Sequence, residues 1–225
     1  MRDIIILGAG GLGQEVAWLI EEINENKKQW NLLGYLDDYP GIVGHEFCGY
    51  KVLGDYNDCR KYVDAMFVVA FGDPAVRMRV VDRVNENNIQ WATLVSPTVR
   101  IHRSNKIGDG VVIGRYTDLT VDCEIADHVM LNIHVVLGHA VKIGKYSIVS
   151  PNVTINGGAV IGSVCSIGSN AFVRDVRIGD NVTVGASSCV VKDVEGDVVV
   201  AGVPARIVRY GRPKNSVTKS ERETT

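Results

Sequence analysis

The sequence predicts two units of different class, an α/β unit over about the first ninety residues and a parallel β-coil over most of the rest. A glycine cluster, Gly8-Ala9-Gly10-Gly11-Leu12-Gly13, separates a strand-like apolar run from a helical one. From Val95 to Val173 every sixth residue is aliphatic, fourteen positions in succession. Glycine is in excess, 24 of 225 residues against a usual ~7%, and the excess falls in that first cluster and at regular places along the coil.

Along the chain, Asp3–Leu7 reads as a strand, the glycine cluster as a tight turn, and Gln14–Glu25 as a helix, since Val16, Leu19, Ile20 and Ile23 recur at helical spacing. Strand, glycine turn and helix form the setting a phosphate-binding loop needs. Glycines let the backbone approach a diphosphate, and the helix N-terminus offers unpaired N–H groups. A tight turn alone would also explain the glycines, but the acids that end the next strand, Asp37 and Asp38 after Leu36, favour a nucleotide. Ala65–Phe71 reads as a buried strand, Gly72-Asp73-Pro74 opens a helix capped by Asp73, and Ile89–Val95 reads as a last strand. This is a small Rossmann-like βαβ pattern. It is one half of a dinucleotide fold, which suits a mononucleotide or nucleotide-sugar better than NAD.

The coil follows from the period of six. Four residues after each aliphatic position lies a small or β-branched one, Asn105 excepted, so six residues make a short strand and a corner and eighteen make a triangular turn. Roughly five turns at the ~4.8 Å strand spacing stand about 24 Å tall. The pattern slips by one residue after Val173 and resumes at Ile178. Cys123 and Cys165 occupy the small inward slot and are expected to pack the core. Residues 1–94, 95–210 and 211–225 are thus expected to be a nucleotide-sugar-binding unit, a β-helix and a mobile polar tail.

Composition narrows the function. With 24 basic against 26 acidic side chains, nothing favours nucleic acid or an anionic membrane. No apolar run approaches the ~18 residues of a membrane span, and five cysteines without a Cys-x-x-Cys pair fit neither a disulfide framework nor a zinc cluster. The expected location is cytoplasmic.

An isoleucine-glycine hexapeptide series ending in Ala201-Gly202-Val203-Pro204-Ala205-Arg206 resembles the left-handed β-helix acyltransferases. Joined to the glycine loop and Leu36-Asp37-Asp38, it resembles the sugar acetyltransferases that N-acetylate nucleotide-linked amino sugars or O-acetylate sialic acid, over about residues 2–208. The resemblance implies a left-handed β-helix, a homotrimer and acetyl-CoA as co-substrate, with no metal. It implies that the acceptor lies on Gly10, Gly11, Leu12, Asp37 and Asp38 with Gly72 nearby, and that the base is His139 in the segment Asn132 to Gly144. A base must take the acceptor's proton as it attacks the thioester, and imidazole titrates in the useful range. Asn132 would help place the acceptor. Gly157, eighteen residues beyond His139, would offer its N–H to the thioester carbonyl. Acetyl-CoA would run along Ile148, Ser169 and Ala186, with Gly202, Pro204 and Arg206 toward its nucleotide end.

Three positions depart from the family pattern: Ala140 replaces an acid after the histidine, Ile148 a polar residue near the thioester, and Leu12 a polar residue of the glycine loop. Asp122, eighteen residues before Ala140, is expected to supply the missing charge to His139. Two other readings stay open. One is a nucleotide-sugar sensor that has lost catalysis. The other is a γ-carbonic-anhydrase-like zinc enzyme suggested by the five-residue spacing of His134 and His139, although no third histidine shares their columns.

Overall fold

The computed structural model describes residues 1–86 and 89–211. Beyond Gly211 the expected polar tail lies outside the described residues. The N-terminal unit runs β1 (Arg2–Leu7), α1 (Gly11–Asn26), β2 (Trp30–Leu36), β3 (Glu46–Phe47), β4 (Tyr50–Gly54), β5 (Met66–Val69), α2 (Pro74–Asn85) and β6 (Gln90–Trp91). Its sheet has the order β3-β4-β2-β1-β5-β6, with parallel pairing throughout except between β3 and β4. Ile4 to Leu7 are fully buried, as a central parallel strand covered on both faces requires. Asp73 caps α2, its carboxylate accepting from the Ala75 and Val76 N–H groups at 2.7 and 3.1 Å.

The strand expected over Ile89–Val95 is two strands in two sheets. Ala92 N–H still donates to Phe67 of β5, whereas Leu94 N–H donates to Val111 and Leu94–Val95 pairs with Val112–Ile113. The chain changes sheets across Thr93, whose hydroxyl donates to the Gly108 carbonyl at 2.8 Å.

The rest is a left-handed β-helix of two-residue strands in three parallel sheets. A first face carries Leu94–Val95, Val112–Ile113, Met130–Leu131, Ile148–Val149, Ser166–Ile167 and Thr183–Val184, and ends in Val198–Gly202 with an antiparallel partner, Ala205–Tyr210. A second face begins at Asp118–Leu119, a third at Lys106–Ile107, and each has five strands. The corners after these faces are termed first, second and third. Ile101 departs from the expected pattern: it lies in no strand and is 37% exposed, because the first turn is incomplete on the second face.

Inside, the aliphatic residue of each strand packs against the small residue of the next corner, in one continuous core from Val111 to Val200. Where the small slot is polar it is stapled. Thr117 and Ser147 hydroxyls donate to the Asn132 and Gly162 carbonyls at 2.7 Å, each worth about 1 kcal/mol. Cys123 and Cys165 are fully buried in this slot, and burial pushes the Cys123 thiol up from its usual range.

The two units are packed together. The outward side chains Val112, Met130 and Ile148 of the first face join Val16, Leu19, Ile20 and Ile23 of α1 in one apolar cluster. Beyond it, Arg77 of α2 is fully buried and donates from Nε to the His128 carbonyl (2.7 Å) and from Nη1 to the Phe71 carbonyl (3.2 Å). The His128 ring sits edge-on to Trp91 and stacks on Tyr146, with centroids at 4.6 and 5.4 Å.

Burial, with Arg77 beside it, lowers the His128 pKa to about 4, against ~6.5 for a free imidazole. The neutral ring therefore contributes stability that is complete above pH ~6.5 and is lost as pH falls toward 4, up to about 3 kcal/mol. Denaturant midpoints measured at pH 7.5, 5.5 and 4 should fall in that order, and His128→Phe should flatten the decline; an unchanged slope would exclude His128 as its source.

Candidate active site

The carboxyl ends of β1, β2 and β5 meet where the strand order reverses, the usual ligand crevice of an open α/β sheet. Gly10 and Gly11 are exposed, and no atom lies within 4 Å of where a Cβ on either, or on Gly72, would stand. The crevice floor is thus open backbone at the start of α1, ready for an anion. Gly13 has a different duty. A Cβ there would lie 2.1 Å from the Gly8 carbonyl, so only glycine lets α1 pack on its own loop. Leu12 is half-buried against the α1 core rather than directed wholly into the crevice.

The two acids brace the crevice. Asp37 accepts from the Ala9 N–H (2.7 Å) and the Tyr39 N–H (2.9 Å), holding the glycine loop. Asp38 accepts from the Tyr56 N–H at 3.0 Å and forms an ion pair with Arg83.

At the second corner of the β-helix, His139 lies under Gly157. A Cβ on Gly157 would stand 2.6 Å from Nε2 and 2.7 Å from Cε1 of the ring, so an unsubstituted backbone is what gives the imidazole its place. The Gly158 N–H donates to the His139 carbonyl at 2.8 Å and locks this register. The Gly157 N–H makes no hydrogen bond among the described residues, and His139 is exposed. The one-residue slip after Val173 falls on the turn above, where it brings the Asp175 carboxylate within 2.7 Å of a Cβ on Gly158. Sequence reasoning missed Asp175, although the slip marks its place.

Two expectations are corrected. Asp122 makes no hydrogen bond to His139 among the described residues and stands exposed on the Ala140 column, its backbone N–H donating to Ser104 Oγ at 3.0 Å. Ile148 does not line an outer groove. It is 5% exposed, because the N-terminal unit covers that part of the first face.

The remaining residues gather at the first corner. Ile133, Pro151, Ser169, Ala186 and Gly202 form one column up the β-helix, with Asn132 beside its lower end. Asn132 Oδ1 accepts from the Ile133 N–H at 2.7 Å. Pro204 follows a cis peptide bond in the terminal hairpin, and Arg206 is exposed there. A cleft of about 210 Å³ opens between α1 and the foot of this corner, lined among others by Leu19, Trp18, Arg115, Asn132 and Pro151. The Arg115 guanidinium lies 3.6 Å over the Trp18 ring and pairs with Glu22 at 2.8 Å. Within one chain, the strand Val136–Leu137 separates this corner from His139. His134 and His139 also stand at different corners, so they do not converge as zinc ligands, and no group of three or more metal-ligating side chains is found among the described residues.

Residues 122–157 match the bacterial transferase hexapeptide model of six repeats. Residues 3–84 match the PglD N-terminal domain. The two matches in one chain support a hexapeptide-repeat sugar acetyltransferase. The chain is 27% identical over 211 residues to GDP-perosamine N-acetyltransferase of Escherichia coli O157:H7, covering 89% of this chain and 94% of that one. The same fold occurs in the acetyltransferase domain of PglB from Neisseria gonorrhoeae FA1090, with TM-score 0.85, 24% identity and coverage of 92% and 100%. It occurs also in a perosamine N-acetyltransferase from Caulobacter crescentus solved with CoA and GDP-perosamine, with TM-score 0.76, 24% identity and coverage of 92% and 97%. No helix among the described residues is long and apolar enough to cross a membrane.

The contrast between two loop glycines is testable. Gly13→Ala should cost about 1–3 kcal/mol of stability through the clash with Gly8, whereas Gly10→Ala, with open space around it, should stay within about 1 kcal/mol. Equal denaturant midpoints for the two variants would contradict the packing described.

Proposed function

We propose that the chain transfers an acetyl group from acetyl-CoA to the amino group of a nucleotide-linked sugar, with His139 as general base. The observation that carries this reading is the exposed His139 ring under Gly157, whose N–H makes no hydrogen bond among the described residues. The acceptor nitrogen attacks the thioester carbonyl carbon while the imidazole takes its proton. The oxyanion of the tetrahedral intermediate accepts from the Gly157 N–H. Collapse breaks the C–S bond, and the thiolate leaves as thiol with the proton returned by the imidazolium.

The nucleotide diphosphate rests on Gly10 and Gly11 at the start of α1 and on Gly72 ahead of α2, and the sugar extends along α1 toward Asn132. CoA follows the column of Ser169, Ala186 and Gly202, with Pro204 and Arg206 near its nucleotide end. Because Asn132 and that column stand at one corner and His139 at another, the reaction centre forms where the first corner of one chain meets the second corner of its neighbour. A homotrimer about an axis parallel to the β-helix closes three such centres. Relatives named for GDP-perosamine support an amino rather than a hydroxyl acceptor, and a GDP-linked sugar is the first candidate. Asp122 takes no part.

The test is thiol release from acetyl-CoA against GDP-, UDP-, dTDP- and CMP-linked sugars, amino and non-amino, with free sialic acid included. Release should require an amino sugar nucleotide. His139→Ala should lower kcat by about a hundredfold or more, Gly157→Ala by about tenfold or more through displacement of the ring, and Asp122→Asn should leave kcat and the pH profile unchanged. No release with any acceptor, while nucleotide-sugar still binds, would support a sensor instead.

A further inference from the structure

The tips of the corners adopt a left-handed backbone, a conformation that bulky side chains rarely accept. At the first corner the upper positions of this column are Asn152, Asn170 and Ser187, but the two lowest are Tyr116 and His134, both near φ 57°. Their rings stack, with centroids 5.1 Å apart and planes 26° from parallel. The third corner carries a matching pair, His128 and Tyr146, and there the N-terminal unit covers the rings with Trp91. Within one chain Tyr116 has no such cover among the described residues and is 61% exposed.

The geometry points to the Tyr116–His134 pair as the platform on which the pyranose ring of the acceptor rests, a binding subsite that fixes the sugar rather than the nucleotide. This rests on the acetyl-transfer reading above. Strained aromatic residues kept at an exposed site, where asparagine or serine serves elsewhere in the column, indicate a use outside folding. Arg115 and Ile133, the residues just before the pair, line the cleft beside Asn132, which follows α1 from its first turns and so continues the direction of a sugar whose diphosphate lies on the glycine loop. Its height selects the occupant. His134 belongs to the same turn as Asn132 and His139, Tyr116 to the turn below, and the column proposed for CoA rises from Ser169 in the opposite direction. The charge next to it selects the chemistry. Arg115 is engaged by Trp18 and Glu22, so the rings themselves are offered to the C–H face of a neutral sugar, not to a phosphate.

Steady-state kinetics with the amino sugar nucleotide that gives the highest turnover test this directly. Tyr116→Ala should raise KM for that acceptor about tenfold, leave KM for acetyl-CoA unchanged, and leave the inhibition constant of the parent nucleoside diphosphate unchanged. Tyr116→Phe should behave as the parent enzyme. Thermal midpoints of both variants, expected to match that of the parent because the exposed Tyr116 ring lies outside the core, exclude unfolding as the cause. An unchanged acceptor KM overturns the assignment. A raised KM for acetyl-CoA would move the platform to the other substrate, and weaker nucleoside diphosphate inhibition would move it to the base; both also overturn it. If the parent enzyme releases thiol with no acceptor, the acetyl-transfer reading falls, and the platform with it.

Discussion

The hydrogen-bond ladder between successive turns is the constraint on which the rest depends. Val112, Met130 and Ile148 N–H groups donate to the carbonyls of Val129, Ser147 and Cys165, each seventeen residues on, at 2.8 to 3.0 Å. That spacing fixes residue n over residue n + 18, and everything at the corners inherits it. It sets His139 beneath Gly157, Tyr116 beneath His134, and Ser169 beneath Ala186 once one residue is missing. The slip is visible in the same ladder, where Ser166 N–H donates to Val182, sixteen residues on. The interior holds register because Val173 and Ile178 still point inward on either side of the shortened corner, with Val176 in the small slot. The shorter connection is accommodated at the corner instead of the core, and that corner lies above Gly157 and Gly158 in the column of the histidine.

Much of this was legible because the period is a direct consequence of geometry. Aliphatic residues every six positions give the faces, and adding eighteen gives the vertical neighbours, so the His139–Gly157 stack followed from arithmetic. What could not be read was whatever depends on a covering partner or on the direction of a side chain. Ile148 looks like any outward residue of the first face, yet α1 buries it. Asp122 occupies the right turn, but its column is that of Ala140, and it stands exposed without a hydrogen bond to the ring. In the N-terminal unit the glycine loop and both acids were evident as a group. Their division of labour was not, because it depends on Ala9, Tyr56 and Arg83 as hydrogen-bond partners. The strand over Ile89–Val95 failed for a related reason: local hydrophobicity cannot tell which of two sheets will claim each half.

The joint between the units explains how the glycine-loop crevice and a β-helix corner are held in a fixed relation, as the proposed reaction requires. Apolar contacts between α1 and the first face fix one side, and Arg77, Trp91 and Tyr146 around His128 fix the other. Two separated fastenings prevent both sliding and rocking. The distance from the glycine loop to Asn132 is thereby set by folding and need not be established anew by each substrate.

The left-handed corner positions have an evolutionary consequence. Their side chains leave the β-helix entirely, while the ladder is made by backbone atoms and the core by other residues. A substitution at such a tip alters the outer surface without touching either. A lineage of these proteins can thus exchange the side chains of solvent-facing tips one at a time while the ladder and the core stay as they are. The repeat that makes the fold monotonous also separates the part of the sequence that can drift from the part that cannot.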